Sequence, residues 1–471
     1  MTPSRAAPAA PSSFDPWRAA YVAAEIGGAS YAGPQALAAL RARRLAELLV
    51  AAARGSAHYR AVLKGHDPAR VRLAALPVGH RGELMQRFDD WVTDPALRLD
   101  GLQRFMGDAR RIGEPYLGRY VVWESSGSSG EPGAFVQDGA SMAVYDALEA
   151  LRRPTLRPWQ RLLDPWLLSE RIAFVGAIGG HFASAVSFAR LRRLNPALAP
   201  RLHSVSFLQP TPQLVAQLQQ LAPTVIATYP SAAVLLAEER DAGRLQIAPR
   251  EIWTGGEMLS PAMRRAIGGA FGCPVADSYG ASEFLSMASE CVLGRLHLNS
   301  DWVILEPVDK HGHAVPCGEV PATTLLTNLA NHVQPLIRYD LGDRVTVHAE
   351  RCGCGSGLPV IDVQGRSDHA LRLGRSGSDA ALVLPLALST VLEDEAGLFD
   401  FQLVQLGPAE VLLRTGLEGD AGHAALSRAR EVLAAFLARQ GAAGVTIQCR
   451  EGEPARPSAS GKIRRIVATP V

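Results

Sequence analysis

From Pro16 to about Leu63 apolar residues recur at helical spacing, as in Leu37-Ala38-Ala39-Leu40-Arg41 and Leu45-Ala46-Glu47-Leu48-Leu49, and predict a set of scaffold helices. Loop-like stretches and a short helix fill Leu73 to Asp100. The run Tyr120-Val121-Val122-Trp123 then predicts a short buried strand, and Ser141 to Arg152 a helix packed behind it. Four strand–helix units follow. Their strands are expected at Arg171–Gly176, Ser204–Leu208, Val225–Tyr229 and Glu251–Thr254. Their helices end near Leu194, then span Pro212 to Leu221, Ala232 to Arg240 and Pro261 to Phe271. Such alternation predicts parallel sheets with crossover connections, in which ligands bind at the carboxyl ends of strands.

After Pro274 the texture changes to short strands separated by turns, such as Trp302–Leu305 and Thr323–Leu326, and a β-rich subdomain is expected over about 275–363. Gly365-Arg366-Ser367-Asp368 opens a last segment of roughly a hundred residues, a size that suits a small α/β domain. Its strands are expected near Phe401–Val404 and Val411–Leu413, with a helix from Ala424 to Arg439. The expected fold class is α/β. Residues 1–15 are expected to form a disordered tail, 16–366 a large domain with parallel-type sheets, and 367–471 a small mobile lid domain. The sequence contains no internal repeat.

Composition excludes several classes of function. A chain of 471 residues with 47% hydrophobic content can bury a large core. The net charge of +2 is dispersed, so neither a nucleic-acid track nor an anionic membrane surface is expected. There is no uninterrupted apolar run of membrane-spanning length. Met1 to Ser13 lacks the basic-then-apolar order of a signal peptide, and a cytoplasmic location follows by default, as a monomer or homodimer. Lysine occurs only at Lys64, Lys310 and Lys462, which makes each one easy to weigh.

Candidate chemistry begins at Glu124-Ser125-Ser126-Gly127-Ser128-Ser129-Gly130-Glu131-Pro132, directly after the first predicted strand. Small hydroxyl residues interleaved with glycines let the backbone approach an anion and offer it N–H and O–H donors. No Gly-Lys-Ser/Thr closes the run, so it is not the usual P-loop. Four further stretches stand at intervals after it: Asp277-Ser278-Tyr279-Gly280-Ala281-Ser282-Glu283, Ile337-Arg338-Tyr339-Asp340-Leu341-Gly342-Asp343, Gly365-Arg366-Ser367-Asp368 and Ser460-Gly461-Lys462.

In that order the five stretches resemble the adenylate-forming superfamily of acyl-CoA synthetases, adenylation domains and luciferases, and within it the phenylacetate-CoA ligase group. The resemblance implies that Ser125, Ser126, Gly127, Ser128, Ser129 and Gly130 hold the β- and γ-phosphates of ATP. It implies further nucleotide contacts from Gly256, Glu257, Ser278, Gly280, Ala281 and Ser282. Tyr279 would stack on adenine, Glu283 would reach Mg²⁺, and Asp343 would accept bonds from the ribose. Arg366 would lie near ribose or phosphate, Asp368 would mark the hinge, and Lys462 would bridge the carboxylate and the α-phosphate. Attack of a carboxylate on phosphorus needs such positioned donors and cations more than it needs a nucleophile.

Each residue also has an ordinary alternative: a packed aromatic for Tyr279, a helix-start residue for Glu283, a turn residue for Asp343, a surface ion pair for Arg366 and Asp368, a solvated tail lysine for Lys462. Two departures bear on the chemistry. Glu131 stands where the family loop usually carries a lysine beside its proline, and the hinge has His369 and Arg372 in place of an acid and a lysine.

The strand ends also suggest a pocket for the acid, with His181, Tyr229 and Gly255 as candidate contacts; packed strand-end residues are the alternative for His181 and Glu257. Separately, Cys291 and His297 are matched by Cys352-Gly353-Cys354, a three-cysteine, one-histidine set suited to structural Zn²⁺. Buried thiols beside a core histidine are the alternative. Cys273, Cys317 and Cys449 lack such partners.

The expected activity is ATP-dependent activation of a carboxylic acid, with aromatic acids the first class to consider, followed by acyl transfer to coenzyme A and release of AMP. A different acceptor (an amine, a carrier-protein thiol or direct nucleotidyl transfer) and a non-catalytic nucleotide-binding protein on the same fold stay open.

Overall fold

The computed structural model describes residues 13–125, 133–154, 156–164, 167–364, 371–374, 380–383, 385–398, 400–455 and 465–468. Helices Pro16–Ala29 and Pro34–Gly55 lead the chain, each with proline in its first turn, where a missing N–H costs nothing. Asp15 caps the first of them through the backbone N–H groups of Trp17 and Arg18. The helix pair is tied to the body by a buried charge network. Arg44 donates to the Asp301 carbonyl at 2.7 Å, and Arg152 reaches both Asp301 carboxylate oxygens at 2.7 and 2.9 Å.

Strands β1 (Val121–Glu124) and β2 (Ala134–Gln137) form an antiparallel pair on either side of the Ser/Gly stretch. The predicted strand–helix units are all present. They supply β3 (Ile172–Gly176), β4 (Leu202–Ser206), β5 (Val225–Thr228) and β6 (Glu251–Gly255). Beyond them lie β7 (Val275–Ala281), β8 (Phe284–Glu290), β9 (Leu296–Leu298), β10 (Val303–Val308), β11 (Thr323–Asn328), β12 (Tyr339–Asp340), β13 (Arg344–Val347) and β14 (Val360–Gln364). The change of texture after Pro274 does not mark the end of a sheet. One nine-stranded sheet runs β13-β14-β9-β8-β7-β6-β5-β3-β4, parallel from β7 to β4 and antiparallel from β7 to β13. Strands β10, β11 and β12 form a separate antiparallel sheet.

The C-terminal segment begins with the hairpin β15 (Leu371–Leu373) and β16 (Ala381–Val383). It continues with β17 (Gln402–Gly407), β18 (Glu410–Arg414), β19 (Thr446–Arg450) and β20 (Ile466–Val467), in the order β19-β18-β17-β20, beside the helix Gly419–Arg439. Its apolar residues, among them Leu371, Leu388 and Leu403, join those of the parallel strands and their crossover helices, such as Val175, Ile226 and Leu236, in one core. Polar contacts cross the same boundary. Gln440 donates to the carbonyls of Leu208 and Gln209 at 3.3 and 3.2 Å, and Arg372 pairs with Glu238 at 2.8 Å.

Like charges also meet there. Burial first, then the charges of Asp394 and Glu393, push the Glu124 carboxyl up to about 7, and burial with Glu393 and Glu395 pushes Asp394 up to about 6. A carboxyl raised in this way favours the folded state at low pH, and that contribution fades as pH rises from the ordinary carboxylate range towards the raised value. Thermal unfolding followed from pH 5 to pH 8 is therefore expected to lose stability, by no more than about 3 kcal/mol from Glu124. Glu124→Gln should flatten that slope. An unchanged slope in the variant would refute the assignment.

Candidate active site

The carboxyl end of β7 and the turn after it carry Ser278, Tyr279, Gly280, Ala281, Ser282 and Glu283. Strands β7 and β8 are joined by a two-residue turn at Ser282 and Glu283, so Glu283 stands at a hairpin tip and not at a helix start. Gly280 makes the tight approach possible. A Cβ there would lie 1.8 Å from the Leu285 carbonyl oxygen, and the register of the two strands shifts between Tyr279 and Ala281. The turn is held from outside as well. Trp123 Nε1 donates to the Ser282 carbonyl and Asn328 Nδ2 to the Glu283 carbonyl, both at 2.9 Å.

Glu283 is only 4% exposed. Arg81 Nη2 donates to its Oε1 at 3.0 Å, and the Tyr339 hydroxyl donates to the same oxygen at 2.9 Å. Arg81 Nε also donates to the Tyr339 oxygen, at 3.1 Å. Burial alone would lower the Arg81 guanidinium, but the charges and hydrogen bonds of Glu283 and Tyr339 together more than reverse this and hold it raised. Burial, followed by the Glu283 charge, keeps the Tyr339 phenol neutral well beyond its usual range. On the same strand end, the Tyr279 hydroxyl donates to Asp343 Oδ2 at 2.8 Å, so two of the quoted stretches meet side chain to side chain.

Neighbouring strand ends complete the arc. Gly255 and Ser278 are register partners on β6 and β7, and the Ser278 hydroxyl donates to the Thr254 carbonyl at 3.2 Å. Gly256 adopts φ +79°, and a Cβ there would lie 3.0 Å from the Tyr229 ring. Glu257 Oε2 accepts the Ser231 N–H at 3.0 Å, in the first turn of the helix Pro230–Asp241. Tyr229 lies 3.3 Å from the Ser184 hydroxyl, and burial, then the Glu257 charge, push its phenol up to about 12.

His181 departs from its expected setting. It is 1% exposed, its ring packs 5.5 Å from the Phe105 ring, and its carbonyl accepts the Glu124 N–H at 2.8 Å. Burial pushes the imidazole below its usual value, against the carbonyls of Arg111 and Met106. At the mouth of the Ser/Gly stretch, Ser125 N–H donates to the Gly133 carbonyl and Gly133 N–H donates to Ser125 Oγ, both at 2.9 Å. Ser126, Gly127, Ser128, Ser129, Gly130, Arg366, Asp368 and Lys462 lie outside the described residues.

The cysteine–histidine set comes together. The ligand atoms of Cys291, His297, Cys352 and Cys354 all lie within 4.8 Å of one another. Cys291 Sγ is 3.8 Å from Cys352 Sγ, and Cys354 Sγ is 3.4 Å from His297 Nε2. Tetrahedral zinc with ordinary bond lengths separates two sulfurs by about 3.8 Å, and a sulfur and a nitrogen by about 3.5 Å. His297 Nδ1 lies 2.9 Å from the Leu358 carbonyl, which fixes the tautomer whose Nε2 lone pair faces the sulfurs. The cluster could hold a zinc ion. Its loop also reaches the N-terminal helices, where Gly357 N–H donates to the Ser30 carbonyl at 3.2 Å and Leu358 packs with Ala29 and Leu37.

Sequence reasoning missed Arg81, Ser184 and Asn328. Arg81 is one arginine among many, and only the pairing of Gly79 with Tyr339 brings it to the site. Tyr339 lies in a quoted stretch without an assigned role.

No family model matches the chain. Protein CapK of Staphylococcus aureus is 30% identical over 106 residues, a stretch that makes up 22% of this chain and 22% of that protein. Likeness to solved structures is broader. The structure of 2-hydroxyisobutyryl-CoA ligase with 2-HIB-AMP and CoA in its thioesterification state is similar with a TM-score of 0.56 at 18% identity, covering 93% of this chain and 91% of that one. The same ligase in its postadenylation state with R3-HIB-AMP gives a TM-score of 0.54 at 19% identity over 100% and 95% of the two chains. The chain thus has the fold of adenylate-forming ligases: a large mixed sheet, a β-rich subdomain and a small C-terminal α/β domain.

The Gly280 contact gives a direct test. Gly280→Ala should destabilise the protein by at least about 2 kcal/mol in denaturant unfolding, because a backbone carbonyl cannot turn away as a side chain can. Gly268→Ala, in a helix with only Cys273 O at 3.9 Å, is the contrasting control and should be tolerated.

Proposed function

We propose that this chain is an ATP- and Mg²⁺-dependent enzyme that activates a carboxylic acid as its acyl-adenylate and then passes the acyl group to the thiol of coenzyme A. The observation that carries the reading is the meeting of Tyr279 with Asp343, and of Glu283 with Arg81 and Tyr339, at one strand end of an adenylate-forming fold. The ligase of similar fold was captured with an acyl-AMP and CoA.

In the first half-reaction a carboxylate oxygen attacks the α-phosphorus and pyrophosphate leaves with the electrons of the broken P–O bond. In the second the thiol sulfur attacks the acyl carbonyl, its proton is released, and AMP leaves. Tyr279 presents its ring for adenine, and its hydroxyl orients Asp343 towards the ribose. Glu283 would hold Mg²⁺, which neutralises phosphate charge when bound. Lys462 and Arg366 retain the roles that the family resemblance implies, with Asp368 the pivot about which the small domain turns between the half-reactions. The acid lies towards Tyr229, Gly255 and Gly256. His181, packed against Phe105, bonds through its carbonyl to Glu124 of β1 and is not assigned a contact with the acid.

Pyrophosphate release from ATP and Mg²⁺, measured over aromatic, fatty, hydroxy and amino acids with and without coenzyme A, tests the reading. Release that depends on one acid and turns over repeatedly with coenzyme A is expected. Acid-dependent release indifferent to coenzyme A would redirect the search to another acceptor, and silence across the panel would count against adenylation. Lys462→Ala should slow adenylate formation by roughly two orders of magnitude or more, the scale of losing one preorganised charge contact. Unchanged adenylation in that variant would remove Lys462 from the mechanism.

The cysteine cluster is assigned a structural zinc, since four protein ligands leave no open position for chemistry. Purified protein should carry close to one zinc per chain. Chelation or Cys352→Ser should increase hydrogen exchange at residues 352–358 and at the Ser30 turn, because the metal closes the loop that docks there. Metal-free protein with unaltered exchange would overturn the assignment.

A further inference from the structure

The setting of Glu283 points to a control on metal entry. Resting on the adenylation reading, we infer that Arg81 is a positioning residue that fixes the Glu283 carboxylate and suppresses its affinity for a bare divalent cation, so that the metal arrives with the nucleotide. Both side-chain bonds fall on one oxygen, Oε1, from Arg81 at 3.0 Å and from Tyr339 at 2.9 Å. Among the described residues no hydrogen bond falls on Oε2. The carboxylate is therefore oriented by one oxygen and presents the other.

The orientation is set by backbone as well as by side chains. Gly79 bridges Tyr339 in parallel register, with Gly79 N–H donating to the Arg338 carbonyl at 3.0 Å and Asp340 N–H to the Gly79 carbonyl at 2.9 Å. Arg81 and Tyr339 thus reach Glu283 as one unit. In a site this dry, the guanidinium cancels the carboxylate charge at short range, so a lone cation at Oε2 meets an ion pair with little net charge to attract it. A triphosphate restores the negative charge that such a cation needs. Without Arg81 the buried carboxylate has no such compensation and gains from a bare cation.

Manganese is a spectroscopic probe of this site that does not depend on turnover. Electron paramagnetic resonance of free Mn²⁺, read at about pH 8 where carboxyls are ionised, should show weak binding by the wild type that tightens with a non-hydrolysable ATP analogue. Arg81→Met should bind Mn²⁺ without nucleotide at least roughly tenfold more tightly than the wild type, and Arg81→Lys, which keeps the charge, should stay within about twofold of it. Adding Glu283→Gln to Arg81→Met should abolish the gain. A folded Arg81→Met protein with wild-type Mn²⁺ affinity overturns the inference, and so does an Arg81→Lys protein that binds as tightly as Arg81→Met is expected to. If Arg81→Met does not fold, Arg81→Lys and Tyr339→Phe decide, because Tyr339→Phe removes a bond to Oε1 without changing charge and should leave bare-metal affinity within about twofold. A wild type that binds neither the analogue nor Mn²⁺ in its presence overturns the adenylation reading itself, and this inference with it.

Discussion

The contact on which the site depends is the approach of β7 to β8 at Gly280. With no side chain at that position the Leu285 carbonyl comes within what would be bonding distance of a Cβ, and the turn closes in two residues. The closure decides where β7 ends. It directs Tyr279 towards Asp343, and it sets Glu283 at the tip, within reach of Arg81 and Tyr339. Because β7 also pairs in parallel with β6, the same strand carries the crossover half of the sheet into its antiparallel half. A wider turn would lose the site and the continuity of the sheet together.

Charge is managed differently in different parts of the molecule. Asp301 is fully buried and paired with both Arg44 and Arg152, so the N-terminal helices are attached through a compensated buried charge. Glu124 and Asp394 are poorly compensated, and they sit where the C-terminal segment meets the larger domain. Asp277 repeats the pattern beside the site. Burial pushes its carboxyl up to about 7 although Thr254 Oγ1 donates to it at 2.6 Å. Compensated charge thus fixes the scaffold, whereas strained charge gathers near the candidate site and the boundary between domains.

Much of this was legible in the sequence, for identifiable reasons. The four strand–helix units announce themselves because a strand buried on both faces must be a continuous apolar run, and the helix Pro261–Phe271 has the bounds that its serine cap and proline predict. The cysteine–histidine set was legible because ligand spacing survives any detail of the loops. Strand β7 is less easily read, since its residues are mostly half-buried and polar, with no alternation to follow. Its pairing with β6 made the parallel and antiparallel strands one sheet. Strands β19 and β20 were missed because they pair in parallel with distant partners and bury few side chains, a relation invisible in any short window. Arg81 was missed for a similar reason: its partner Glu283 lies 202 positions further along the chain. His181 was singled out as a polar residue at a strand end, but the aromatic Phe105 that covers it comes from a helix that no local pattern links to it.

The reciprocal bonds between Ser125 and Gly133 join the two ends of the Ser/Gly stretch. They close a ring at its base. The entropy lost in bringing the ends together is thereby met at the neck, by two residues, and depends only weakly on what the ring contains. Substitutions between the two can then be made without disturbing the register of β1 and β2. The neck thus separates the pairing of β1 with β2 from the composition of the stretch between them.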